Sequence, residues 1–175
     1  LIDKMSVECR TARSNELKLV KKRIYNYFNH HRCRGGEYYG RNEDSIAEDN
    51  RQALDMLGNI LESDKEIQVV GKAENGTDAY NMIVKTKPDI VFLDVVMPGM
   101  DGISVMERIK TNQDCSADTS FVMITAASSE NLTADAFRMG ACYYIVKPFS
   151  KEAVLDKVHR LKNYRNRAST AARKV

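Results

Sequence analysis

The stretch Ile90-Val91-Phe92-Leu93-Asp94-Val95-Val96-Met97-Pro98-Gly99-Met100-Asp101-Gly102 decides how this chain folds. Consecutive apolar residues stop at an acid, and a Pro- and Gly-rich loop follows. An unbroken run of this kind suits a strand covered on both faces, as in a parallel sheet. Working outward, the pattern recurs. Ile67-Gln68-Val69-Val70 upstream, and Phe121-Val122-Met123-Ile124 and Tyr143-Tyr144-Ile145-Val146 downstream, are all strand-like.

Helical periodicity fills the gaps between these runs. Ala53, Leu54, Leu57, Ile60 and Leu61 share one helix face, and Val154, Val158 and Leu161 recur at helical spacing near the end. A helix over 77–87 follows the Asn75-Gly76 turn and is stopped by Pro88, which lacks an N–H and disfavours helical geometry in the residue before it. Further helices are expected through Ile103, Val105, Met106 and Ile109, and around 132–139 before Gly140. Strands alternating with helices predict an α/β fold with a doubly wound, five-stranded parallel sheet over residues 45–162. All three prolines (Pro88, Pro98, Pro148) fall at element junctions.

One strand is poor. The run before Glu48-Asp49 is only Ser45-Ile46-Ala47, preceded by the polar Arg41-Asn42-Glu43-Asp44. A central parallel strand calls for a longer apolar run. Residues 1–44 therefore read as a basic extension outside the sheet, with one possible amphipathic helix over 16–28. His30-His31 with Cys33 lacks the second ligand pair that a metal site needs.

Charge is partitioned along the chain. Residues 1–45 carry 10 basic and 6 acidic side chains, 46–150 carry 9 and 16, and 151–175 carry 8 and 2. An acidic body thus lies between basic ends. No apolar run is long enough to span a membrane, and no signal-peptide pattern opens the chain. Cys9, Cys33, Cys115 and Cys142 show no paired spacing, as expected of reduced thiols in a cytoplasmic protein.

In a doubly wound sheet, ligands bind beyond the carboxyl ends of the strands. The acids Glu48-Asp49 and Asp94, the hydroxyl of Thr125 and the amine of Lys147 all fall at such ends. Clustered carboxylates repel one another unless a cation neutralises them, and Mg²⁺ prefers oxygen ligands of this kind. A carboxylate can act as the nucleophile towards phosphorus, and phosphoryl transfer depends chiefly on charge neutralisation. Mg²⁺ and the Lys147 ammonium would supply that neutralisation. Thr125 could donate to a phosphoryl oxygen, and small Ala126 leaves room for the group to enter.

These residues, with Met97-Pro98-Gly99-Met100-Asp101-Gly102, Thr125-Ala126 and Lys147-Pro148-Phe149, resemble the receiver domain of bacterial response regulators, a flavodoxin-like fold. The resemblance implies that Asp94 takes phosphate from a histidine kinase or phosphotransfer protein. It implies that Asp49 and Asp94 bind Mg²⁺ directly, with Glu48 acting through water and the Val96 carbonyl completing the protein ligands. Thr125 and Lys147 would contact the phosphoryl group, Thr125 and Tyr144 would switch on phosphorylation, and the bond before Pro148 would be cis. The output surface would comprise the helix before Gly140, strand 143–146 and the helix after Ser150. Asp49-Asn50-Arg51, Ile67-Gln68-Val69-Val70-Gly71, Asn75-Gly76 and Pro88-Asp89-Ile90 are further similar to the family of the sporulation master regulator. That likeness implies a basic linker, residues 163–175, leading to a DNA-binding helical domain; the function expected is a phosphorylation-controlled switch that biases homodimerisation or such an attached effector.

Two other function classes compete. A Mg²⁺-dependent phosphatase using an aspartyl phosphate wants a second acid two residues after the nucleophile, and Val96 stands there. Nucleotide-binding glycine loops are also missing. A nucleic-acid-binding protein acting through its basic ends lacks a helix-turn-helix pattern in 1–44 and 151–175, and its acidic body would repel phosphates.

Overall fold

The computed structural model describes residues 41–111, 119–126 and 138–172. Strands β1 (Asn42–Ala47), β2 (Ile67–Ala73), β3 (Ile90–Asp94), β4 (Ser120–Thr125) and β5 (Tyr143–Val146) form one sheet in the order β2-β1-β3-β4-β5. Every pairing is parallel. The helices among the described residues are α1 (Arg51–Glu62), α2 (Gly76–Thr86), α3 (Gly102–Thr111) and α4 (Lys151–Ala172). The doubly wound sheet expected from the apolar rhythm is present. The expected helix at 16–28, residues 132–137 of the helix expected over 132–139, and the His30-His31-Cys33 group lie outside the described residues.

Alternation along the central strands builds a core on each side of the sheet. Val91 and Leu93 of β3, with Phe121 and Met123 of β4, pack with Ala79 and Ile83 of α2 and Val105, Met106 and Ile109 of α3. Ile90 and Phe92, with Val122 and Ile124, face Leu54, Leu57 and Leu61 of α1 and Val154, Val158 and Leu161 of α4. A strand turns successive side chains to opposite faces, so both faces of β3 must be apolar.

The helix starts are set by side-chain caps. Asn50 accepts from the Ala53 amide at 3.1 Å, and Asn75 accepts from the Asp78 amide at 2.9 Å. Each satisfies one of the amides that a helix start leaves unpaired. At the far end of α2, Lys87 turns left-handed at φ 48° just before Pro88.

β1 departs from expectation. It begins at Asn42, not Ser45, so the polar residues 42–44 are part of the sheet. Neighbours on both sides, β2 and β3, override the weak local propensity. Asn42, Asp44 and Ser45 are consequently buried, and Asn42 Nδ2, both Asp44 oxygens and Ser45 Oγ find no hydrogen-bond partner. Burial drives the Asp44 carboxyl well above the usual range, and the nearby Asp89 charge adds to this. Arg165 and Lys162 of α4 pull it the other way.

The chain around 163, expected as linker, continues α4 without a break to Ala172. Arg165 Nη2 reaches Asp89 Oδ1 at 2.6 Å, and Asp89 Oδ2 accepts from the Glu43 amide at 3.0 Å. This clamp ties α4 to the amino-terminal ends of β1 and β3.

Candidate functional site

At the opposite end of the sheet, the ends of β1, β3, β4 and β5 converge. The Glu48 amide continues the β1 ladder by donating to the Ala73 carbonyl at 3.0 Å, which holds the acid pair beside β3. Val95 N donates to Ile124 O at 2.8 Å, and Lys147 N donates to Thr125 O at 2.7 Å. The backbone ladders therefore fix all four anchor points before any side chain is considered. The loop after Asp94 folds back tightly: Gly102 N donates to Val95 O at 3.0 Å. A Cβ on Gly102 would collide with the Asp94 carbonyl oxygen, so any other residue there forces the backbone to shift.

Ligand atoms of Glu48, Asp49 and Asp94 lie within 4.8 Å of one another. Glu48 and Asp94 are buried at 1% and 4% exposure, whereas Asp49 is exposed. Among the described residues no other group of three His, Cys, Asp or Glu side chains comes together in this way. Asp94 Oδ1 accepts from the Val96 amide at 3.1 Å, which orients the carboxylate. Thr125 is fully buried at the end of β4, and Tyr144 packs partly buried against the core on the α2/α3 side. The Lys147–Pro148 bond is cis. Val96 lies 67% exposed at the rim.

Lys147 crosses the pocket. Its Nζ donates to Asp94 Oδ2 and to Glu48 Oε1, both at 2.7 Å, and lies 2.6 Å from Glu48 Oε2. Burial draws the ammonium pKa down, but the hydrogen bonds to Asp94 and Glu48 outweigh it and raise the value above that of an ordinary lysine. Burial pushes the Glu48 carboxyl up, Lys147 opposes this and the Asp94 charge adds to it, leaving a net rise. Direct contact between Lys147 and Glu48 was missed in the sequence, where each had a separate task. The signal was the glutamate itself, whose extra methylene extends its reach.

The donor set fits a hard divalent cation. All candidate ligands are oxygens, and Glu48 Oε2 is buried without an aligned hydrogen bond. Mg²⁺ takes such carboxylates along with waters and phosphate oxygens. Three carboxylates and a lysine thus meet at the carboxyl edge of a doubly wound sheet, with Thr125 ending the neighbouring strand β4.

Comparison with known proteins assigns the class to a family. The family model described as the response regulator receiver domain matches residues 45–159, and the chain belongs to that family. Receiver domains act generally as signalling phosphoacceptors rather than as enzymes, and bind Mg²⁺ at an acidic pocket.

Solved structures agree on the fold. The signal receiver domain of the putative response regulator NarL from Mycobacterium tuberculosis superposes with a TM-score of 0.65 at 23% identity, covering 70% of this chain and 98% of that one. A DNA-binding response regulator of the LuxR family from Staphylococcus aureus gives 0.64 at 22%, covering 69% and 98%. A CheX–CheY–BeF3–Mg²⁺ complex from Borrelia burgdorferi gives 0.64 at 27%, covering 73% and 98%. No helix among the described residues is long and apolar enough to cross a membrane.

Proposed function

We propose that Asp94 is the phosphoacceptor of a two-component or phosphorelay system. The observation that carries this reading is the convergence of Asp94, the Glu48-Asp49 pair and Lys147 on one pocket. An Asp94 carboxylate oxygen attacks the phosphorus of a phosphohistidine on a kinase or phosphotransfer protein. A P–O bond to Asp94 forms as the P–N bond breaks, and the imidazole leaves with the bond's electron pair. Asp49, Asp94 and the Val96 carbonyl, with Glu48 through water, would hold a Mg²⁺ ion, which would supply charge neutralisation. Lys147 stays beside Asp94 and neutralises the arriving phosphoryl oxygens. The Thr125 hydroxyl donates to one of them, and this draws Thr125 and then Tyr144 into a second arrangement.

That rearrangement favours one of two states, as any ligand-driven switch requires. Met139 and Val146, 38% and 41% exposed, lie on the expected output surface around β5. The switch there biases homodimerisation or a DNA-binding effector. The particular likeness to the sporulation master regulator rests on Asp49-Asn50-Arg51, Ile67-Gln68-Val69-Val70-Gly71 and Pro88-Asp89-Ile90. A cytoplasmic location follows from such partners. Val96, standing where an aspartyl-phosphate phosphatase needs an acid, weighs against the enzyme alternative.

Fluorine NMR with Mg²⁺ and beryllofluoride, a phosphoryl mimic, tests this. A protein-bound resonance is expected for the wild type and its loss for Asp94→Asn. A folded wild-type sample without a bound resonance would remove the reading.

A further inference from the structure

We propose that the carboxyl half of α4 is a strap closed over Asp44 at the amino-terminal edge of the sheet, and that rising pH opens it by letting Asp44 ionise. Three basic side chains, spaced three residues apart along α4, reach three acids that stand just before β2 and β3. His159 Nε2 meets Asp64 Oδ2 at 2.7 Å, Lys162 Nζ meets Glu66 Oε2 at 2.6 Å, and Arg165 Nη2 meets Asp89 Oδ1 at 2.6 Å. Residues at this spacing are neighbours along one side of a helix. The family match ends at residue 159, so two of the three pairs lie beyond it.

Beneath the strap, Asp44 is fully buried in β1 and neither carboxyl oxygen has a hydrogen-bond partner. Asn42 Nδ2, two residues earlier on the same strand face, is likewise unpartnered. Ile46, also on that face, belongs to the core that Val158 and Leu161 of α4 line, so α4 covers this side of β1. From α1 and β2 that core receives the apolar Leu57, Leu61, Ile67 and Val69. The charges acting on Asp44 are Asp89, which opposes its ionisation, and Arg165 and Lys162, which favour it. Both cations are committed elsewhere, Arg165 to Asp89 and Lys162 to Glu66. A carboxylate here would be a buried charge without hydrogen bonds, so the closed strap keeps Asp44 protonated. Lifting the strap admits water, which solvates the carboxylate and takes up its proton. Opening and proton release are therefore linked, and rising pH favours the open form. The His159 and Lys162 pairs each have one well-exposed partner and contribute little, whereas the Arg165–Asp89 pair is largely buried and holds the strap down.

Hydrogen exchange of the whole chain, read residue by residue by NMR and corrected for intrinsic rates, tests this. Protection of the amides of residues 162–168 should fall at least about tenfold between pH 5 and pH 7, the signature of one linked proton. It should also stay below that of residues 91–93 in β3 at every pH, because the strap opens without global unfolding. His159 pairs with Asp64 only when protonated, so the series is repeated in His159→Gln, where the fall should persist. Asp64 is held below the usual carboxylate range by the Glu66 amide and His159, and adds no pH dependence in this window. In the His159→Gln background, Asp44→Asn, neutral at every pH and of the same size, should reduce the change to less than about twofold. The same pH dependence with or without Asp44 would overturn the proposal. So would a flat wild-type profile, or protection of residues 162–168 that equals that of β3 throughout. Asp44→Val carries the same expectation if Asp44→Asn fails to fold.

Discussion

Replacing Asp44 by valine should stabilise this domain, and the reason lies in β1. Asp44 is fully buried, and neither of its carboxyl oxygens has a hydrogen-bond partner. It pairs with Val69 of β2 and Ile90 of β3, surroundings that suit a β-branched side chain. A buried polar group left unpaired costs about 1–3 kcal/mol even when neutral. Valine also returns part of the roughly 1.5–3 kcal/mol that its own burial contributes. Against this, the attraction of Arg165 and Lys162 for the carboxylate is lost. A net gain of about 2–4 kcal/mol is expected, equivalent to roughly 10 °C in Tm for a domain of this size.

The pH dependence gives the test its sign. Burial, then Asp89, raise the folded-state pKa of Asp44, so the folded protein holds that proton more tightly than the unfolded chain does. Its contribution to stability therefore falls as pH rises above the unfolded value of about 3.9, and levels off only above the folded pKa. The advantage of Asp44→Val should be smallest at and below about pH 3.9 and widen towards neutral pH. Urea unfolding followed by far-UV circular dichroism at several pH values measures both quantities. A variant no more stable than the wild type, or an advantage independent of pH, would refute the reasoning.

Three further outcomes follow from the same structure. Arg165→Ala should cost about 3 kcal/mol, because it strips a partly buried Asp89 of its ion partner at 2.6 Å beside Asp44; urea unfolding reads it. Gly102→Ala should lose about 2 kcal/mol by forcing a methyl group against the Asp94 carbonyl, and should impair phosphorylation with it, as thermal melts and acetyl phosphate labelling would show. The aspartyl phosphate should be long-lived, since Val96 at the exposed rim offers no polar group to position water; a half-life of seconds at neutral pH would contradict this.

Where the sequence was legible, period and position carried the information. Ile90–Leu93 and Phe121–Ile124 are apolar on both faces because helices cover both, and such runs announce a central parallel strand. The polar residues that end them then map onto one edge of the sheet, so Asp94, Thr125 and Lys147 could be placed without coordinates. β1 was illegible in its first half because its pairing with β2 and β3, not its own composition, makes Asn42–Asp44 a strand. The Arg165–Asp89 clamp was hidden for a different reason. It joins residues 76 positions apart through side chains that individually resemble ordinary surface charges. The Glu48–Lys147 contact spans 99 positions, and two residues at neighbouring strand ends can meet or miss by one methylene.

The most direct test of the central claim is intact mass after incubation with acetyl phosphate and Mg²⁺, with Asp94→Ala alongside. One added phosphoryl group on the wild type, absent from the variant and from samples treated with chelator, is the predicted result. A folded wild type that gains no mass, or a variant that gains the same mass, would contradict Asp94 as the phosphoacceptor.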